Sequence, residues 1–221
     1  MLVLGISSCT KKDGENQGLR AEDQLPYDLN STKSGSKWIY GSKDGTIFTR
    51  YATGRDTTMN GLLYSYFYHV DSSSKYVTPE FFGKNKDKYL TLIDLDGGMK
   101  TYITFVFLKD NAVPGLGWRN TESKKIQGWN VDMLIESSVV STTRTLVHEG
   151  HEFNNVIEVS SQLKAKLKLS PGYTRCGELR VWFAKDVGII KEIGDITLRV
   201  AGITMLKKEY DDSLMSYHIE P

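Results

Sequence analysis

The densest run of reactive side chains is His148-Glu149-Gly150-His151-Glu152. Two imidazoles and two carboxylates in five positions raise the question of metal-assisted hydrolysis. A zincin needs His-Glu-x-x-His on a helix, which places both imidazoles on one face four residues apart. Here the histidines are three apart with Gly150 between them, and the flanks Thr145-Leu146-Val147 and Phe153-Asn154-Asn155-Val156-Ile157 are β-formers. Glu149-Gly150 therefore reads as a two-residue hairpin turn, with His148 and His151 facing each other across the strands. They are the weak metal candidates of the chain, and a metal-dependent hydrolase built on them ranks behind the non-enzymatic readings below.

Other reactive residues are scattered. His69 sits in an aromatic run and His218 stands alone. Cys176, between Arg175 and Gly177, has no neighbouring base and reads as a plain free thiol. Asp94-Leu95-Asp96-Gly97-Gly98 is too short for an EF-hand and reads as a hairpin turn. There is no Gly-x-Ser-x-Gly elbow, Walker loop or dinucleotide fingerprint. The expectation is a non-enzyme, with no catalytic residue and no cofactor.

These residues must be positioned by strands. Period-2 runs alternate with turn residues: Lys37–Tyr40, Thr46–Ala52, Leu62–Val70, Tyr89–Leu95, Thr101–Leu108 and Val131–Glu136. In the segment Leu163–Leu169, Leu163, Ala165, Leu167 and Leu169 alternate with Lys164, Lys166 and Lys168. One face of it must be wet, which favours an antiparallel sheet. Later strands are read at Glu178–Lys185, Val187–Glu192 and Ile196–Tyr210, with a bulge or bend at Gly202. A short helix is allowed only near Thr57–Leu63 or in the N-terminal segment. Tyr64, Tyr66 and Tyr68 share one face and Leu63 and Phe67 the other, so that strand has something on both sides. The fold class expected is all-β: a single strongly curved antiparallel sheet or open half-barrel with few or no helices.

The 221 residues carry 28 basic and 27 acidic side chains, a balance with no basic stripe for nucleic acid. No uncharged apolar run is long enough for a membrane-spanning helix. The N-terminus reads Leu2-Val3-Leu4-Gly5-Ile6-Ser7-Ser8-Cys9 before any charge, followed by the polar Thr10-Lys11-Lys12-Asp13-Gly14. Ile6-Ser7-Ser8-Cys9 resembles the end of a bacterial lipoprotein signal peptide, with Ile6 in place of the usual Leu and Ser8 in place of Gly or Ala. The resemblance implies lipidation at Cys9, and more than one acyl chain gives lasting attachment. Thr10 after the cysteine is similar to outer-membrane sorting, and Lys11-Lys12-Asp13 faintly resembles surface-export signals. The organisation expected is residual signal peptide 1–8, lipid-anchored flexible tether 9–36 and a single all-β domain 37–221.

Three phrases resemble a loose group of uncharacterised Gram-negative envelope lipoproteins. They are Val113-Pro114-Gly115-Leu116-Gly117-Trp118, Gly150 to Val159, and Val181-Trp182-Phe183-Ala184-Lys185-Asp186-Val187-Gly188. Asp186 stands where the group commonly has glycine. The resemblance implies a curved sheet akin to LolA-type lipoprotein carriers, and it implies no catalytic residues. The leading functional expectation is a lipid-anchored protein of the cell envelope, at the outer membrane on its periplasmic or surface face. It would bind an apolar or amphipathic ligand, or an envelope partner, on the curved sheet. The alternative is a structural or adaptor lipoprotein that docks a partner protein.

Overall fold

The computed structural model describes residues 32–72, 77–95, 101–168, 170–200 and 203–221, and among them every helix or strand is a strand. In chain order these are β1 (Lys37–Ser42), β2 (Ile47–Met59), β3 (Leu62–Asp71), β4 (Val77–Asn85), β5 (Lys88–Asp94) and β6 (Tyr102–Lys109). The second six are β7 (Gly117–Ile126), β8 (Trp129–His148), β9 (His151–Leu167), β10 (Thr174–Ala184), β11 (Gly188–Val200) and β12 (Ile203–His218). All belong to one antiparallel sheet in the order β6-β5-β4-β3-β2-β1-β12-β11-β10-β9-β8-β7. It is two six-stranded meanders joined where the first strand meets the last, with Lys37 opposite His218 and Ser42 opposite Asp212. The all-β, strongly curved antiparallel expectation holds, and the curl goes further than an open half-barrel, to near closure.

Alternation explains the strands. Along β9, Ile157, Val159, Leu163 and Ala165 are buried. The intervening Glu158 and Lys164 face outward to Arg180 at 3.2 Å and Glu136 at 2.5 Å. Curvature comes from register shifts, among them those at Ala52/Arg55, Trp182/Phe183 and Leu198/Arg199. The first adds two residues to one strand, the others one each, and each bends its strand. The curl brings remote strands into contact. The Phe107 ring on β6 stacks on Phe183 of β10 at 5.3 Å. The Trp38 indole donates to the Val187 carbonyl at 2.8 Å. Two apolar clusters fill most of the interior, one around Phe105, Phe107, Phe183 and Ile196, the other around Trp38, Tyr40, Phe67 and Phe153.

The remaining edges belong to β6 and β7, which are consecutive in the chain yet at opposite ends of the strand order. Among the described residues no backbone ladder joins them. Three side chains of β7, spaced two apart, take its place. Trp118 donates its indole N–H to the Val106 carbonyl at 2.8 Å, and Asn120 donates its amide to the Thr104 carbonyl at 2.8 Å. Glu122 Oε1 accepts the Thr104 N–H at 3.0 Å, while its Oε2 lies 3.2 Å from Lys124 Nζ. Edge groups are thus satisfied without a template for another chain. Glu122→Ala should cost about 1–2 kcal/mol, because the Thr104 amide loses its acceptor. Hydrogen exchange at that amide should accelerate tenfold or more. An unchanged rate would mean that the seam is held by something else.

Three sequence readings need correction. Thr57–Leu63 is not a helix: it is the end of β2, a turn with Asn60 at φ 51° and Gly61 at φ 75°, and the start of β3. Ile196–Tyr210 is not one strand. It is the end of β11 and the start of β12, paired through Leu198 and Leu206, and period-2 patterning on both sides masked the hairpin. Of the Val187–Glu192 reading, Val187 lies in the turn and Gly188 to Glu192 begin the same β11. Gly202, Cys9 and the Asp96-Gly97-Gly98 turn lie outside the described residues, although Asp94 pairs with Tyr102 as a β5–β6 hairpin requires.

Candidate functional site

The His148–His151 pair was the leading chemical motif, and the two residues do face each other across a two-residue turn. Glu149 and Gly150 adopt φ of 48° and 77°, the left-handed pair that such a turn demands. Yet each imidazole has a separate environment. His148 Nε2 is buried with no hydrogen-bond partner among the described residues. Burial, then the charge of Lys191, holds its pKa below the usual value. His151 Nε2 lies 2.9 Å from the Met215 carbonyl of β12. Among the described residues no group of three or more His, Cys, Asp or Glu is placed to hold a metal ion. Cys176 is a buried free thiol that burial pushes up to about 11, away from the reactive thiolate form. His218 is exposed and lies 3.1 Å from Glu220.

Polar chemistry gathers instead inside the curled sheet. A cavity of about 320 Å³ is lined from eight strands, β2 to β6 and β10 to β12. Its lining combines apolar side chains, among them Phe82, Phe105, Phe107, Val181 and Phe183, with the ionisable Arg50, His69, Glu80, Asp94, Glu192, Lys208 and Tyr210. Arg50 occupies an inward slot of β2 between Phe48 and Ala52, and all three are buried. Its Nε donates to Glu80 Oε2, and Nη1 donates to the Tyr40 hydroxyl at 3.0 Å. The guanidinium also lies 5.0 Å from the centroids of both Tyr40 and Phe82. Tyr40 passes its own proton donor to the Ile189 carbonyl at 2.8 Å. Glu80, opposite Phe67 on β3, keeps its second oxygen 3.3 Å from His69 Nδ1. His69 itself stacks on Phe48 at 4.1 Å.

The carboxylates of this site are driven apart in acidity. Burial alone would raise the Glu80 pKa, but Arg50 and the His69 hydrogen bond outweigh it and hold the carboxyl well below the usual range. Among the described residues Glu192 makes no such hydrogen bond, and burial pushes it up to about 7 despite the attraction of Arg50. Asp212 is raised as well, chiefly by burial, against the bond it accepts from the Ser42 hydroxyl. Glu192 and Asp212 stand directly opposite each other on β11 and β12. The Lys208 amine lies 4.8 Å from the Tyr210 ring centroid, and that neighbour raises its pKa. Ile189 and Glu192 both line the cavity although three residues apart, because the register shift opposite Trp182/Phe183 resets the alternation of β11.

No family model matches the chain, and no curated protein matches it closely. Among solved structures it is similar to a putative lipoprotein from Parabacteroides distasonis ATCC 8503, determined at 2.70 Å. The TM-score is 0.52 at 9% identity, over 87% of this chain and 99% of that one. At such identity the likeness is one of fold.

Proposed function

We propose that this chain is a lipid-anchored envelope protein that holds a small amphipathic ligand inside its curled sheet. The observation that carries the reading is a cavity lined by both phenylalanine rings and ionisable groups. Its volume, about 320 Å³, lies at the small end of ligand pockets. Phe107 and Phe183, both in its lining, stack at 5.3 Å. The anchor is supported by the Ile6-Ser7-Ser8-Cys9 sequence and by the lipoprotein description of the structural relative. The adaptor alternative is less favoured, because the polar groups converge on an internal void and not on an outer face.

Native mass spectrometry of protein taken from its own envelope tests this directly. One equivalent of a small molecule should accompany wild type and be lost from Val181→Trp, whose indole fills the void. Protein that carries no such molecule and binds no environment-sensitive apolar dye would end the ligand reading. The N-terminal peptide should carry diacylglycerol on Cys9, and an unmodified Cys9 peptide would end the anchor reading.

A further inference from the structure

We propose that Ile203–Tyr210 of β12 accepts a strand from an extended polypeptide, one side chain of which enters the cavity; the place of that side chain rests on the cavity reading above. The observation is a difference in strand length. β1 ends at Ser42, opposite Asp212, and the chain turns back there, with the Ser42 N–H donating to the Thr46 carbonyl at 2.8 Å. Among the described residues the last backbone bond on that side of β12 runs from the Lys43 N–H to the Asp211 carbonyl at 3.2 Å. Ile203 to Tyr210 run on past it, paired with β11 alone among the described residues. Ile203, Thr204, Lys207, Lys208 and Glu209 are exposed. At the β6–β7 seam, side chains of β7 cover the bare edge. Along β12 the described residues provide no such cover, and Lys207 and Glu209 pair with each other at 2.8 Å. A row of N–H and C=O groups at strand spacing matches the main chain of another strand, which supplies affinity through the ladder. The cavity adds the second element. Lys208 and Tyr210 line it, and Lys208 and Thr78 of its lining are exposed, so it opens beside this edge. Residues opposite each other in a ladder share a face. A residue of the added strand opposite Lys208 or Tyr210 therefore faces the cavity, where Phe82, Phe105 and Phe107 suit an apolar anchor.

The test titrates the full-length protein into a fluorescein-labelled peptide, Ser-Thr-Val-Thr-Phe-Thr-Val-Thr-Ser with both ends blocked, and follows anisotropy. Saturable binding is expected. Two further versions carry N-methyl groups on alternate amides, one on the Thr phase and one on the Val-Phe-Val phase. A strand offers β12 the donors of one phase only, so one version should bind at least tenfold more weakly than the other. Equal affinity for the two overturns the added strand. Exchanging Phe for Ala in the peptide should cost at least tenfold in wild type and nothing in Val181→Trp, whose indole fills the void. An Ala peptide that binds wild type as well as the parent does overturns the cavity anchor. The peptide exchanges decide both points even if Val181→Trp does not fold. If the parent peptide fails to bind while an environment-sensitive apolar dye still enters the cavity, the inference falls and the cavity reading stands; if neither binds, both fall. A wild-type dimer in sedimentation that the peptide does not dissociate would make a second copy the occupant of the edge and overturn the inference as well.

Discussion

Gly194→Ala should destabilise the protein by about 3 kcal/mol or more, the largest effect of any single methyl added to this chain. An alanine Cβ at Gly194 would lie 2.1 Å from the Glu178 carbonyl oxygen and 2.8 Å from the Leu179 Cα. Both are backbone atoms of β10, so no side-chain rotation relieves the clash. A complementary close approach exists at Gly177, where a Cβ would lie 2.4 Å from the Asp195 oxygen. The two glycines sit two rungs apart on the same ladder, Gly177 opposite Ile196 and Gly194 opposite Leu179. They let β10 and β11 coil tightly against each other at the back of the cavity. Guanidinium denaturation should show the loss, and a midpoint within error of wild type would mean that the strands can separate cheaply. By contrast Gly150→Ala meets nothing within 4 Å and suffers only from its positive φ. It should cost far less.

Arg50→Met should cost about 3–5 kcal/mol at pH 7, because it strands Glu80 without its cation in the interior. Replacing both partners, Arg50→Met with Glu80→Leu, should recover a large part of that loss, since an apolar pair has no desolvation cost to offset. The pH dependence separates this from simple loss of packing. In wild type, Glu80 has a folded pKa below its ordinary value of 4.5, so its contribution is complete above that pH and fades as the pH falls below it. Glu192 has the opposite sign. Its folded pKa is raised from 4.5 to about 7, so its contribution is complete below pH 4.5 and fades as the pH rises through 7. That shift corresponds to roughly 3 kcal/mol at most, reduced by the water that reaches the cavity. Stability should therefore peak near pH 5. In Arg50→Met the acid limb should reverse: with no cation beside it Glu80 takes up a proton readily, and the deficit against wild type shrinks towards pH 4. A deficit that is constant with pH would show that Arg50 acts through packing alone.

The sheet was legible wherever apolar residues alternate and turns carry glycine. The Glu149-Gly150 hairpin was readable to the residue, because Gly150 and β-branched flanks leave few other conformations. Strand β7 was not, since Gly-Trp-Arg-Asn-Thr-Glu-Ser-Lys-Lys-Ile offers one apolar residue at each end and polar ones between. Its polar side chains seal a seam, a task that leaves no hydrophobic trace. The middle of β8 was missed for a related reason, as Ser141-Thr142-Thr143-Arg144 lies on a strand that pairs with β9 without burying much there. Asp186 adopts φ 62°, the conformation glycine favours, which shows how the turn tolerates the departure from the envelope lipoproteins' pattern. The cavity site was invisible because its members come from strands as distant as β2 and β12, and only the curl unites them. One signal was present. Arg50 sits in phase with Phe48 and Ala52, and a charge in an inward-facing slot announces a buried partner.

The junction of the two meanders also governs how the chain can assemble. Among the described residues every other ladder joins neighbours in sequence, but Trp38 must find Tyr217 on the twelfth strand. Such a distant closure is slow, and until it happens both β1 and β12 present bare strand edges of the kind that aggregate. Removing β12 should therefore turn the chain into inclusion material rather than a looser version of the native fold.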